Sequence, residues 1–375
     1  MVMAGIYLHI PFCKQACHYC NFHFSTSARH RDTMVDALVR ELELRTDYLR
    51  GATVSTIYFG GGTPSVLDTA EIERLLSTIY RRYPVVPAPE ITLEANPDDL
   101  TRAKLDALAA TRINRLSIGI QSFSEADLRF MNRAHDAAEA ARCVRWAQAV
   151  GFDDLSIDLI YGSPTTSHAQ WADNLARTAA LGVPHVSSYC LTVEPDTALA
   201  HFVKKGKARP VDEEHAAAQF EALLAWAGRE GYEHYEISNF ARPGRYARHN
   251  TNYWRGVPYL GVGPSAHSFD GESRQWNVAH NANYTAALGE DRLPAEREAL
   301  SDDDRYNEYV MTSLRTMWGS ERARLTAFGA TYLQHFETAI YPYLQNHHAE
   351  RIDDHYRLTN SGKLLADRIA SDLFR

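Results

Sequence analysis

The sequence predicts an α/β chain, in which a run of strand–helix units builds a parallel sheet and a small C-terminal helical, winged-helix-like domain follows. Three observations predict it. Short apolar, β-branched runs alternate six times with amphipathic stretches of helical period. That alternation loosens after Thr192. The last segment, Tyr356-Arg-Leu-Thr-Asn-Ser-Gly-Lys-Leu-Leu-Ala-Asp-Arg-Ile, reads as a strand, a turn and a terminal helix.

In chain order the strands are Gly5–Ile10, Ser55–Phe59, Glu90–Glu94, Arg115–Ile120, Leu155–Tyr161 and His185–Thr192. Arg31–Arg50 carries Met34, Leu38, Leu42 and Leu49 on one side, and Ala70–Arg82 carries Ile72, Leu75, Leu76 and Ile79. Arg102–Ala110 and Ala137–Val150 follow the same pattern. Parallel strands need crossovers of this length and kind. A closed or partly closed barrel and an open doubly wound sheet both satisfy the periodicity. Asp212–Gly231 is a strong helix with Phe220, Leu223, Leu224 and Trp226 apolar, and Tyr232–Ser268 is aromatic- and Gly-rich with two short strand-like pieces. Ser301–Trp318 opens on a Ser N-cap followed by three Asp, which suits a helix N-terminus. The expected units are a core barrel over 1–235, a barrel extension over 236–298 and a helical domain over 299–375.

Lys plus Arg is 39 and Asp plus Glu is 47, so the net charge is 39 − 47 = −8. With 45% hydrophobic and 23% charged residues the chain is globular, not disordered, collagen-like or coiled-coil. The acidic balance argues against a nucleic-acid partner. No stretch approaches the ~18–20 apolar residues of a membrane span, and MVMAGIYLHIPFC lacks the basic start and cleavage site of a signal peptide. A cytoplasmic protein without a membrane anchor is expected. Five cysteines do not make a disulfide framework in a chain of 375 residues.

Three of those cysteines, Cys13, Cys17 and Cys20, follow the first strand as CxxxCxxC. Three thiolates can ligate three irons of a [4Fe–4S] cluster and leave the fourth iron open for an amine and a carboxylate. The alternative is zinc, with His18 or His23 as fourth ligand. Cys143, in a helix, and Cys190, in a strand, read as core residues. Phe59-Gly60-Gly61-Gly62-Thr63-Pro64 ends the second strand, where glycines admit a ligand to the backbone or simply make a tight turn. Glu94, Gln121 and Asp158 stand at or near strand C-termini, the edge at which parallel α/β folds bind ligands.

Tyr7-Leu-His-Ile-Pro-Phe-Cys, CxxxCxYC, GGGTPS, LEANPDDL, SIGIQSF and IDLIYGSP, in that order, resemble the radical S-adenosylmethionine (SAM) enzymes. More narrowly they are similar to the anaerobic coproporphyrinogen III dehydrogenase group and its relative, the radical-SAM haem chaperones. The resemblance spans nearly the whole chain. It implies a partial (β/α)6 radical-SAM barrel with a [4Fe–4S] cluster on Cys13, Cys17 and Cys20 and SAM on the open iron. Tyr7, Gly61 and Glu94 would lie at that SAM. The dehydrogenase binds a second SAM, and the matching positions are Tyr19, Gly62, Thr63, Gln121, Arg133 and Asp158; with one SAM bound, some of these would serve it instead.

Two departures separate the chain from the dehydrogenase pattern. Phe22 stands where that pattern has a further Cys, and few residues precede Tyr7 where the dehydrogenase has an N-terminal arm. His249-Asn-Thr-Asn-Tyr253-Trp254 matches HNxxYW, which resembles the haem chaperone signature. A neutral imidazole suits haem iron, and Tyr253 and Trp254 offer flat faces for a macrocycle. The alternative is that His249 sits in a surface loop and Tyr253 and Trp254 only pack the barrel mouth. Gly261-Val-Gly-Pro-Ser-Ala-His267 is a second Gly-rich turn, with His267 a lesser contact candidate; His347 and His348 read as a solvated helix end. The resemblance implies haem as ligand, haem-accepting apoproteins, respiratory ones among them, as partners, and a low-potential electron donor. The rival function is oxidative decarboxylation of coproporphyrinogen III propionates through a SAM-derived radical.

Overall fold

The computed structural model describes residues 2–375. Six strand–helix units come first: β1 (Met3–Ile10), α1 (Arg31–Leu44), β2 (Thr53–Gly61), α2 (Thr69–Arg82), β3 (Val85–Ala95), α3 (Arg102–Ala109), β4 (Arg115–Gln121), α4 (Glu125–Phe130), α5 (Ala137–Ala149), β5 (Leu155–Tyr161), α6 (His168–Leu181) and β6 (His185–Cys190). They are followed by α7 (Ala198–Lys204), α8 (Glu213–Glu230), β7 (Glu233–Glu236), β8 (Asn239–Ala241), α9 (Arg248–Trp254), β9 (Tyr259–Val262), β10 (His267–Phe269), β11 (Ser273–Asn277), α10 (Asn281–Gly289) and β12 (Ala295–Ala299). Among the described residues these strands form one twelve-stranded sheet in the order β12-β11-β10-β9-β1-β2-β3-β4-β5-β6-β8-β7. Pairing is parallel from β9 to β6 and antiparallel beyond both ends. The sheet keeps two ends, β12 and β7, so the (β/α)6 barrel is partial.

Each parallel strand has two chemically different faces. Ile6, Leu8 and Ile10, Ile57 and Phe59, Leu116, Ile118 and Ile120, and Ile157 and Leu159 are buried with Leu38, Leu75, Leu105 and Val144 of the helices. The alternate positions turn to the opposite side, as the period of two requires. The register sets Tyr7 beside Tyr58, Tyr58 beside Thr92, Glu94 beside Ser117, and Asp158 beside Ser187. The lumen is therefore polar, and the ring of apolar residues outside it carries the stability of the barrel.

The remaining chain forms α11 (Asp302–Leu314), β13 (Ser320–Glu321), α12 (Arg322–Phe328), α13 (Ala330–Gln345), β14 (Ala349–Ile352), β15 (His355–Leu358), α14 (Asn360–Lys363) and α15 (Ala366–Asp372). Ser301 caps α11 in a capping box with Asp304, as the Ser-Asp-Asp-Asp run predicts. These helices and the small sheet β13-β15-β14 make the expected winged-helix-like unit, with its own core of Tyr306, Leu325, Phe336, Tyr356 and Ile369. The expected boundary at 235 needs correction, because it cuts β7, whose hairpin with β8 extends the sheet beyond β6. The helix expected over Arg31–Arg50 ends at Leu44, and turns follow. No helix among the described residues is long and apolar enough to cross a membrane.

Candidate functional site

The strand C-termini open into a cavity of about 730 Å³. The loop after β1 brings Cys13, Cys17 and Cys20 to its wall, all half-buried. The base of that loop is closed by Cys13 N–H donating to Ser25 O at 3.0 Å and Ser25 N–H to Pro11 O at 2.9 Å. Its tip is bolted to the turn between α4 and α5: His18 N–H donates to Met131 O, Gln15 Nε2 to Asn132 O, and Asn132 Nδ2 to Ala16 O. The polypeptide thus holds the three thiols at one cavity wall through its own hydrogen bonds.

The second loop packs directly on the first. Gly62 N–H donates to Ile10 O at 2.9 Å and Thr63 N–H to Phe12 O at 2.7 Å. A Cβ on Gly62 would sit 2.7 Å from Phe12 O, so only glycine allows this approach. Gly61 has φ +106°, and its N–H donates to Glu94 Oε2 at 3.2 Å. Tyr58 donates to the other Glu94 oxygen at 2.7 Å. Burial pushes the Glu94 carboxyl up to about 7 against those two hydrogen bonds, and Asp158 up to about 6 against bonds from Ser187 and Ser117. Burial likewise raises the Cys13 thiol to about 11, although Thr63 donates to its sulfur at 3.3 Å. Arg133 Nη1 donates to Cys17 Sγ at 3.2 Å, and Nη2 to Asn96 Oδ1 and Gly119 O. Gln121, at the end of β4, is held at φ +67°, a left-handed conformation that a non-glycine residue rarely adopts.

The donor set suits a cluster. Three thiols can each hold a different iron, and Arg133 Nε is buried without a partner among the described residues, leaving a cation donor beside the thiols. A single zinc ion fits poorly. His18 Nδ1 is bonded to Phe130 O at 2.8 Å and His23 Nε2 to Asn281 Oδ1 at 2.7 Å. Neither ring lines the cavity, and among the described residues no three His, Cys, Asp or Glu side chains gather tightly enough to hold one ion.

Tyr19, Gly61, Gly62, Thr63, Glu94, Gln121, Arg133 and Asp158 all line this cavity. Tyr7 lies beneath it, its ring stacked on Tyr58 at 6.1 Å and packed under Gly60. The haem candidates do not line this cavity. His249 is 1% exposed, inside the barrel rather than in a surface loop. Its Nδ1 is 2.8 Å from Thr56 Oγ1, its Nε2 is 2.8 Å from Tyr253 Oη, and its ring stacks on Tyr58. With both nitrogens committed, the imidazole offers no lone pair to an iron in this arrangement. Tyr253 is edge-on to His249 and to Tyr259, and Trp254 lies under the Arg315 guanidinium, so none of the three presents an open face to the cavity. The Glu90 carboxylate accepts from the backbone N–H groups of Arg248 and His249, which anchors α9 as a structural plug. His267 sits in β10 away from the cavity, and Cys190 packs against the core, as expected, while also lining the cavity.

Several lining residues were not singled out from the sequence: Ser117, Tyr189, Phe22, and Arg315, Lys363 and Arg368 of the C-terminal domain. The first two carried a signal, the period-two polar positions along β4 and β6. Phe22 was noted only for what it replaces, and the last three reach the barrel mouth solely through tertiary packing.

A partial barrel with three cysteines on the loop after its first strand defines a radical SAM protein, and residues 7–178 match the Radical SAM superfamily model. A solved Escherichia coli structure described as "Coproporphyrinogen III oxidase (HemN)" superposes with a TM-score of 0.85 at 26% identity, covering 99% of this chain and 90% of its own. Curated relatives named "Heme chaperone HemW" are nearer in sequence. The Mycobacterium tuberculosis protein is 36% identical over 374 residues (98% of this chain, 94% of its own), and that of Bacillus subtilis 30% over 373 residues (98% of each). The chain belongs to the HemW family.

Proposed function

We propose that this chain is a haem chaperone that carries a SAM-liganded [4Fe–4S] cluster, binds haem and passes it to acceptor apoproteins in the cytoplasm. The observation that carries the reading is the loop of three half-buried cysteines, fixed by its own hydrogen bonds beside Gly61, Gly62 and Glu94, with Phe22 in place of a further cysteine. When bound, the cluster supplies an iron vertex for the amine and carboxylate of SAM. Gly61 would meet SAM through its carbonyl, its N–H being held by Glu94, and Glu94 and Asp158 would accept from hydroxyls. Arg133 holds positive charge against Cys17 and has a donor left for a carboxylate. A low-potential donor would set the redox state of the cluster.

The second reading, coproporphyrinogen III dehydrogenation, is favoured by the fold likeness to the Escherichia coli oxidase. One anaerobic preparation separates the two. Iron and sulfide near four of each per chain are expected, and both are lost in Cys17→Ala. Haem should bind and then move to a haem-free b-type cytochrome. Protoporphyrinogen formed from coproporphyrinogen III, SAM and reductant would overturn the chaperone reading, and absence of sulfide would overturn the cluster.

A further inference from the structure

The motif Leu-Thr-Asn-Ser-Gly-Lys-Leu-Leu near the C-terminus holds none of the cluster or SAM candidates, yet Lys363, Leu364 and Leu365 all line the cavity. Thr359 caps α14, and Gly362 packs so closely on the backbone of His348 that a Cβ there would collide with it. That contact fixes the turn between α14 and α15, sends Lys363 inward and leaves Leu364 and Leu365 at the cavity, 42% and 37% exposed. The cluster loop contributes Phe22, 67% exposed, to the same cavity. Exposed apolar side chains are ordinary singly. Three large ones lining one cavity form a surface that favours an apolar occupant.

The charge is as telling. Lys363 Nζ lies 3.0 Å from His234 Nδ1, and His234 Nε2 lies 2.9 Å from Ile237 O. A carbonyl only accepts, so Nε2 carries the proton and Nδ1 receives a bond from the ammonium. Among the described residues no carboxylate lies within 4 Å of Lys363 or of Arg368, whereas the neighbouring Arg315 is paired with Glu236 and Asp367. A half-buried ammonium with Glu350 near it but no carboxylate in direct contact, beside an exposed apolar pair, suits a ligand that is flat or bulky, apolar and anionic at its edge.

We propose that Lys363, Leu364 and Leu365, with Arg368 and Phe22, form the haem-gripping wall of this cavity, the cations taking the propionates and the apolar residues the macrocycle face. This rests on the chaperone reading. It moves the haem site from α9 to the contact between the barrel and the C-terminal domain. No histidine lines the cavity among the described residues, so the grip is on the macrocycle and its carboxylates rather than on the iron.

The test is a haem titration of the cluster-loaded chain, read at the Soret band, with iron content and Tm recorded for each variant. Lys363→Glu should weaken haem at least tenfold, and Lys363→Arg should bind within threefold of the unaltered chain. Leu364→Asp with Leu365→Asp should weaken haem at least tenfold; if that pair fails to fold, the milder Leu364→Ser with Leu365→Ser replaces it, with a loss of at least fivefold. Iron-free protoporphyrin IX should bind within fivefold of haem. If the unaltered chain binds haem but Lys363→Glu and the leucine pair stay within twofold of it, the wall is overturned while the chaperone reading stands. If the unaltered chain binds no haem, both fall.

Discussion

Replacing His249 by Phe separates a structural imidazole from an iron ligand. Phe preserves the flat ring stacked on Tyr58 at 5.0 Å and nearly the same volume. It removes the two hydrogen bonds at 2.8 Å, to Thr56 Oγ1 and Tyr253 Oη, and strands both hydroxyls in the lumen. A stranded buried polar group costs ~1–3 kcal/mol, so the pair amounts to about 2–6 kcal/mol. That is a large share of the ~5–15 kcal/mol that holds a domain together. For a unit whose sheet runs to Ala299, each kcal/mol lowers Tm by roughly 1.5–2 °C, so a fall of about 3–12 °C is expected. The assay pairs a thermal melt of the cluster-free chain with a haem titration at a temperature where the variant is folded. A lowered Tm with a haem Kd within threefold of the unaltered chain is the expected result. An unchanged Tm with haem affinity lost more than tenfold would refute the reasoning and return His249 to the iron.

Other outcomes follow from the same geometry. Gly62→Ala forces a Cβ against two backbone oxygens, Phe12 O at 2.7 Å and Ile10 O at 2.9 Å, so reconstituted iron should fall below half. Gly228→Ala, inside α8 with open space around it, should leave iron unchanged and add ~0.5–1 kcal/mol of stability. Glu41→Ala removes the buried counter-charge of Arg45 and the acceptor shared by Asn277, Tyr284 and Gly263 N–H, and should cost ~3–5 kcal/mol, read as a lower urea midpoint. Burial drives the His249 pKa down to about 3, and burial followed by the Lys363 charge does the same to His234. The unfolded chain protonates both near 6.5, so their contribution is intact above pH 6.5 and is lost as pH falls toward 3. At pH 5 each should have cost about 2 kcal/mol, visible as a urea midpoint that drops steadily from pH 7 to pH 5.

What was legible in the sequence follows the range over which each feature is decided. Strands β1 to β6 are readable because Ile6, Leu8 and Ile10, and their counterparts on the other strands, must meet helices, and an apolar run bounded by polar residues marks where they do. Glu94, Asp158 and Gln121 are readable because a strand end determines the edge at which they emerge, whatever the rest of the chain does. The other face of each strand was equally periodic, through Thr56 and Tyr58, Arg115 and Ser117, and His185 and Ser187, but its meaning depends on whether the sheet curls. In a flat sheet those residues would face a helix layer; in a partial barrel they line a lumen. His249 misleads for the same reason. HNxxYW reads as a haem ligand set within its own few residues, and the groups that occupy it, Thr56, Tyr58 and Glu90, lie more than 150 residues earlier in the chain. Lys363 is the converse case. Its neighbours in sequence make an ordinary helix turn, and only the docking of α14 against β7 gives it His234 as a partner and a place at the cavity. A short motif that names a chemistry is therefore a statement about residue types, and the side chains that pack against it decide whether the chemistry is free to act.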